Sequence, residues 1–138
     1  MILSAIGLFA TALLLGTMVY FAGGVAPLVF TRLPPEVAGR FIRQIFPVYY
    51  LYLLAFSAAG AIALLPVRPM DSGLLAAVAG MTIWLRQVLM PRINALSDAA
   101  QAGNAEAKRG FALAHRLSVG ANLLQMLATA VVLARFAA

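Results

Sequence analysis

The sequence predicts an all-α, integral membrane four-helix bundle, and three observations lead there. Of 138 residues, 64% are apolar and only 10% are charged, whereas soluble domains carry about 25% charged residues. The apolar residues gather in four long runs, and about 20 such residues cross the hydrocarbon core of a bilayer. Prolines and arginines separate the runs, as turns at a membrane surface require. Four spans use nearly the whole length, so residues 1–138 read as one transmembrane domain.

Charge and cysteine usage narrow the function classes. A net charge of +6 and a pI near 10.9 would suggest nucleic acid in a soluble protein. With a mean hydropathy of +0.97, the same charge marks lysines and arginines at the membrane edge, and no nucleic-acid partner is expected. The absence of cysteine excludes disulfides, thiolate metal sites and thiol redox chemistry. The N-terminal run lacks a basic leader and outlasts the 7–15 residues of a signal-peptide core, so a retained first span is expected.

The spans follow in order. Span one covers residues 2–30. Ala12 and Gly16, four apart, would let another helix approach closely, and Gly23, Gly24 and Pro27 suit a bend near its end. Pro34 and Pro35 followed by Glu36 open span two, residues 37–65, with the acid in the positive first turn. Its first turns lie at the surface, with Arg40, Arg43 and Gln44 on the wet side. Pro47 suits a kink there, and Tyr49, Tyr50 and Tyr52 read as an aromatic belt. Pro66, Arg68 and Pro69 make the next turn. Span three, residues 72–90, has small residues at Gly73, Ala76, Ala77 and Gly80. Trp84 and Arg86 stand near its end and Pro91 ends or bends it. Residues 91–110 form the long polar connection, and span four covers residues 111–133.

Orientation follows from the ten lysines and arginines. Only Arg68 and Arg135 lie on the side of the termini. The others lie at or beside the connections between spans one and two and between spans three and four. The positive-inside rule puts both of these connections in the cytoplasm. The expected location is a bacterial inner membrane with both termini on the non-cytoplasmic side.

Span four carries the main candidate for function. His115, Ser118, Asn122, Gln125 and Thr129 recur at intervals of three, four, three and four, which puts them on one helix side. They form a polar line about 21 Å long at 1.5 Å per residue. One reading is helix–helix glue, worth about 0.6 kcal/mol per hydrogen bond; the other is a polar lining for a ligand or ion path. His115, the single histidine, is open to three roles: a hydrogen-bonded packing residue, a proton-handling group, or an axial heme or metal ligand. Zinc and non-heme iron sites need several converging ligands, so His115 is a weak metal candidate and no cofactor is expected. Met18, Met81 and Met126 read as core filler. No phosphate loop and no Ser–His–acid set can be assembled, so no catalytic residue is named. Arg86 would serve the interface or an anionic headgroup, or pair with Asp98. His115, Ser118, Asn94 and Arg86 together mark the end of the bundle where a site would lie.

Several stretches carry a resemblance. They are Gly23-Gly24-Val25-Ala26-Pro27-Leu28-Val29-Phe30 with Leu33-Pro34, Ala38-Gly39-Arg40, and Ile45-Phe46-Pro47-Val48-Tyr49-Tyr50. Further on come Pro91-Arg92-Ile93-Asn94-Ala95-Leu96, Phe111 to Ser118, and Asn122-Leu123-Leu124-Gln125. Together they resemble the bacterial family called domain of unknown function 4149. That family is similar to human transmembrane protein 205 and is often placed near the copper-resistance-D-like four-helix membrane proteins. One departure is Ser97, where the family pattern leads to a basic residue. The resemblance implies four transmembrane helices and points to the neighbourhoods of Pro27, Pro47, Asn94, His115 and Ser118. Through the human relative's link to tolerance of platinum drugs, it also implies handling of toxic compounds. The copper-resistance kinship implies metal or heme, against which stand the missing cysteines and the lone histidine.

Three function classes follow. The first is transport or permeability for a small solute by an oligomer. The second is a non-catalytic accessory subunit of a larger membrane complex, and the third is a heme or metal protein using His115.

Overall fold

The computed structural model describes residues 1–138, all of them in helices and short turns. The helices are α1 (Ile2–Tyr20), α2 (Ala26–Arg32), α3 (Pro35–Leu64), α4 (Pro69–Trp84), α5 (Met90–Gln101) and α6 (Ala105–Ala134). Two single π-turns, Phe21–Val25 and Leu85–Leu89, join α1 to α2 and α4 to α5 without a break. The outcome is four continuous rods, Ile2–Arg32, Pro35–Leu64, Pro69–Gln101 and Ala105–Ala134, each long and apolar enough to cross a membrane. The protein is thus a multi-pass membrane protein and an all-α four-helix bundle.

Proline chemistry sets the rod ends. Leu33 and Pro34 each precede a proline and are extended, with ψ of 146° and 145°, because the following ring disfavours the helical region. Pro35 and Pro69 then stand in the first turns of α3 and α4, ahead of Glu36 and Asp71. At the other connection Gly103 takes φ 95° to leave α5. Asn104 caps α6 by accepting a hydrogen bond from the Ala107 N–H at 2.9 Å.

The π-turns have a shared cause. Each ends two residues before a proline, Pro27 or Pro91. A proline cannot donate to the carbonyl four residues back and its ring crowds that carbonyl, here Gly23 and Gln87. Widening one turn relieves both problems: Ala26 N–H bonds Phe21 O and Met90 N–H bonds Leu85 O, five residues back. Pro47 is accommodated differently, inside an uninterrupted α3.

Each rod packs on its two neighbours in sequence order, and the last closes on the first: α1 on α3, α3 on α4, α4 on α6, and α6 on α1. The densest core lies toward the end that carries both termini, where Leu14, Leu53, Leu64, Leu75 and Val132 are fully buried. Large apolar side chains such as Phe9, Leu113, Leu124 and Leu127 face outward, as a bilayer solvent permits. The close approaches use Gly7, beside the Leu64 side chain, and Gly60, where a Cβ would stand 2.7 Å from Leu75 Cδ1. Ala12, Gly16, Gly73, Ala76, Ala77 and Gly80, the small residues the sequence offers for such contact, face outward instead.

Two helices run beyond the expected spans, past Met90 in the third rod and ahead of Phe111 in the fourth. The helix runs on through α5 to Gln101, α6 begins at Ala105, and the turn between them is short. Alanines favour helix there, and Ile93 and Leu96 give α5 an apolar side against the bundle. Leu96 Cδ2 lies 3.1 Å from the Cβ that a side chain at Gly110 would carry, so Gly110 is a contact point within α6.

Candidate functional site

The rods separate toward the opposite end, here called the basic end because Arg32, Arg40, Arg43, Arg92, Lys108 and Arg109 lie there. Below Tyr20, span one leans on span two. Phe21 stacks on Tyr49 with centroids 4.4 Å apart and meets the Phe46 edge at 5.2 Å, and α2 continues against α3. A cavity of about 1050 Å³ opens between these elements, α5 and the first half of α6.

Its floor is polar and uncharged. The Tyr49 hydroxyl donates to Asn122 Oδ1 at 2.9 Å, and the Tyr50 hydroxyl lies 3.5 Å from Ser118 Oγ. These two contacts cross the bundle diagonally, from span two to span four. They correct the aromatic-belt reading for Tyr49 and Tyr50, which are only 5% and 3% exposed; Tyr52 does face outward. The reason is helical phase: Tyr49 and Tyr50 share the inward side with Phe46 and Leu53, and Tyr52 does not.

The wall on the α6 side holds Phe111 and His115, whose rings stack with centroids 5.9 Å apart and planes 11° apart. His115 is exposed to the cavity and its side chain makes no hydrogen bond within the chain. The mouth carries Glu36, Arg40, Gln101 and the Arg43–Asp98 pair, closed at 2.7 Å, with Arg43 also donating to the Asn94 carbonyl at 3.2 Å. The side facing away from span two is apolar. There Ala22, Ala26 and Phe30 of span one stand across from Val119 and Leu123 of span four. Phe30, Val119 and Leu123 are 61%, 46% and 58% exposed, so this apolar side, here called the window, also lies on the outer surface of the bundle.

The candidates from the sequence divide. His115, Ser118, Asn122 and Asn94 all line the cavity. Gln125 does not: it is buried in the core, donating to Thr82 Oγ1 at 2.8 Å and to the Val78 carbonyl at 3.1 Å. Its Oε1 has no partner. Thr129 bonds the Gln125 carbonyl of its own helix, so the polar line of span four is one side by phase but two environments by depth. Arg86 also leaves the site; its Nε reaches the Pro47 carbonyl at 3.4 Å, and Asp98 takes Arg43 in its place. The continuous rod explains the change: Arg86 and Asp98 stand twelve residues apart on one helix, about 18 Å at 1.5 Å per residue, too far to pair.

The sequence reading missed Tyr49 and Tyr50 as site residues, and it missed the seal at the terminal end entirely. There Asp71, 1% exposed, accepts from Arg68 Nε at 2.7 Å through Oδ2. Arg135 Nε stands 3.1 Å from Oδ1, at ion-pair distance but off the hydrogen-bond direction. Arg68 also donates to the Arg135 carbonyl at 2.7 Å and lies 4.3 Å over the Phe136 ring. A signal was present, since Asp71 is one of only four acids in the chain and lies within three residues of Arg68. No three His, Asp or Glu side chains converge as a metal site would require.

Comparison with curated proteins and with solved structures returns no match. Comparison with protein families returns one that covers residues 9–102, most of span one and all of spans two and three, both π-turns included. The chain therefore belongs to the family described as Domain of unknown function (DUF4149).

Proposed function

We propose that the protein is a small transporter or permease that takes an amphipathic molecule from one leaflet of the membrane, in a role tied to tolerance of toxic compounds. The observation that carries this reading is the cavity. At about 1050 Å³ it matches the upper range of ligand pockets, about 300–1,000 Å³. It is open at the basic end and sideways through the apolar window, and the Asp71 cluster and the apolar core close the other end. The lysine and arginine bias supports a cytoplasmic basic end. The conformation is then an inward-facing one, half of an alternating-access cycle.

The test is flux in liposomes. The purified protein should move a fluorescent amphiphile across the bilayer at a rate proportional to protein. Ala26→Trp, which fills the window, should lower that rate severalfold while the melting temperature in detergent holds. No protein-dependent flux for any amphiphile tried, cationic, anionic or neutral, would end this reading.

A second reading, assembly with another membrane chain or a second copy, is favoured by the outward small-residue faces of Ala12 and Gly16 and of Gly73, Ala77 and Gly80. Small residues on an exposed transmembrane face permit close helix approach. Native mass measurement after gentle solubilisation decides it, and a lone chain would remove it.

A further inference from the structure

We infer that the ligand of this cavity is a zwitterionic lipid, with its ammonium at Glu36, its phosphate at Arg40 and its chains leaving through the window between spans one and four. The inference rests on the reading of the cavity as an amphiphile site and names the class of amphiphile.

The charges at the mouth lead to it. Four charged side chains line the cavity, two of each sign. Arg43 and Asp98 neutralise one another at 2.7 Å. Glu36 and Arg40 remain, and neither takes part in any ion pair of the chain. They stand four residues apart on α3, and such positions are neighbours on one side of a helix, about 5–6 Å apart at Cβ. A ligand with a single charge would meet one partner there and one repulsion. A headgroup bearing an ammonium and a phosphate on a short linker meets two partners.

The rest of the site separates a lipid from a soluble zwitterion. The floor is uncharged, made by Tyr49, Tyr50, Ser118 and Asn122, so charge is recognised only at the mouth. The mouth lies on the first turns of α3, where a rod leaves the bilayer and lipid headgroups sit. Hydroxyl and amide groups deeper in suit the glycerol and ester oxygens of a lipid. The apolar window gives acyl chains a direct path to the hydrocarbon, and a free headgroup would leave that window without an occupant.

The experiment is native mass spectrometry of the delipidated full-length protein with phosphatidylethanolamine, phosphatidylglycerol and diacylglycerol of identical chains, and separately with glycerophosphoethanolamine. Phosphatidylethanolamine should be retained about fivefold over phosphatidylglycerol, the ratio one partly exposed charge pair supplies. Glu36→Gln should bring that ratio close to one by weakening phosphatidylethanolamine alone. Arg40→Gln should weaken both phospholipids and leave diacylglycerol unchanged. Equal retention of the two phospholipids by the native chain, or a ratio unmoved in Glu36→Gln, overturns the inference. Glycerophosphoethanolamine bound as tightly as the lipid overturns the role of the window. If liposome flux that depends on the window survives equal retention of the two phospholipids or an unmoved ratio, only the headgroup assignment falls. If flux is absent as well, the transport reading falls with it.

Discussion

Replacing Arg68 and Arg135 together by alanine is expected to cost the bundle about 3–5 kcal/mol, the usual consequence of leaving a buried charge without a partner. Asp71 is 1% exposed, whereas the side chains of Arg68 and Arg135 are 29% and 42% exposed. The cluster is therefore asymmetric. Removing the acid releases two arginines that can reach water, while removing the arginines strands a carboxylate that cannot. Asp71→Asn alone should consequently cost less than the double arginine variant. Adding Asp71→Asn to that double variant should restore part of the lost stability. Thermal unfolding in detergent, read for all three variants, gives the order. Asp71→Asn proving the most damaging of them would show that the cluster is not held by the burial of its acid.

The second large effect concerns the contact between spans one and two. A Cβ at Gly7 would overlap the side chain of Leu64, and Leu64 is fully buried. Gly7→Ala should lower stability by about 1–3 kcal/mol through overpacking. Leu64→Ala alone should cost about 2–5 kcal/mol through the cavity it leaves. In the double variant the new methyl group occupies part of that space, so the losses should not add. A coupling of about 0.5–3 kcal/mol is the expected signature of residues in contact. Strictly additive losses would mean that span one shifts to accept the methyl group, and that Gly7 is not what sets its distance from span two.

Hydropathy made the four spans and their order legible, because length and apolar content are local properties of the chain. The extent of the third rod was not. Arg92, Asn94, Asp98 and Gln101 lower the hydropathy of residues 91–101 while the alanines there keep it helical, and the contact of Leu96 with Gly110 shows what the segment packs against. The site was legible in part for a similar reason. A period of three and four places His115, Ser118, Asn122 and Gln125 on one side, but phase alone says nothing about depth. The bundle opens at Ser118 and Asn122 and has already closed at Gln125. Tyr49 and Tyr50 were misread because an aromatic pair beside a proline has the same composition at a lipid interface and at a cavity floor. Only the diagonal partners on span four separate the two.

The two π-turns bear on how this chain tolerates changes in length. A π-turn is an α-helix with one residue more than its turn needs, so Phe21–Val25 and Leu85–Leu89 each hold a spare. Deleting Gly23 should let an ordinary α-turn close while α1 and α2 keep the faces they now present, with the Pro27 ring then held inside a regular helix as Pro47 is in α3, at the stability cost of a proline there. The window residues Ala26 and Phe30 would then stay in place, and the proposed amphiphile site should be kept. The same deletion at Ala12 has no spare to draw on and would turn the first eleven residues by about 100°, carrying Gly7 off Leu64. Alignment gaps among relatives are accordingly expected at the π-turns and nowhere else within the spans.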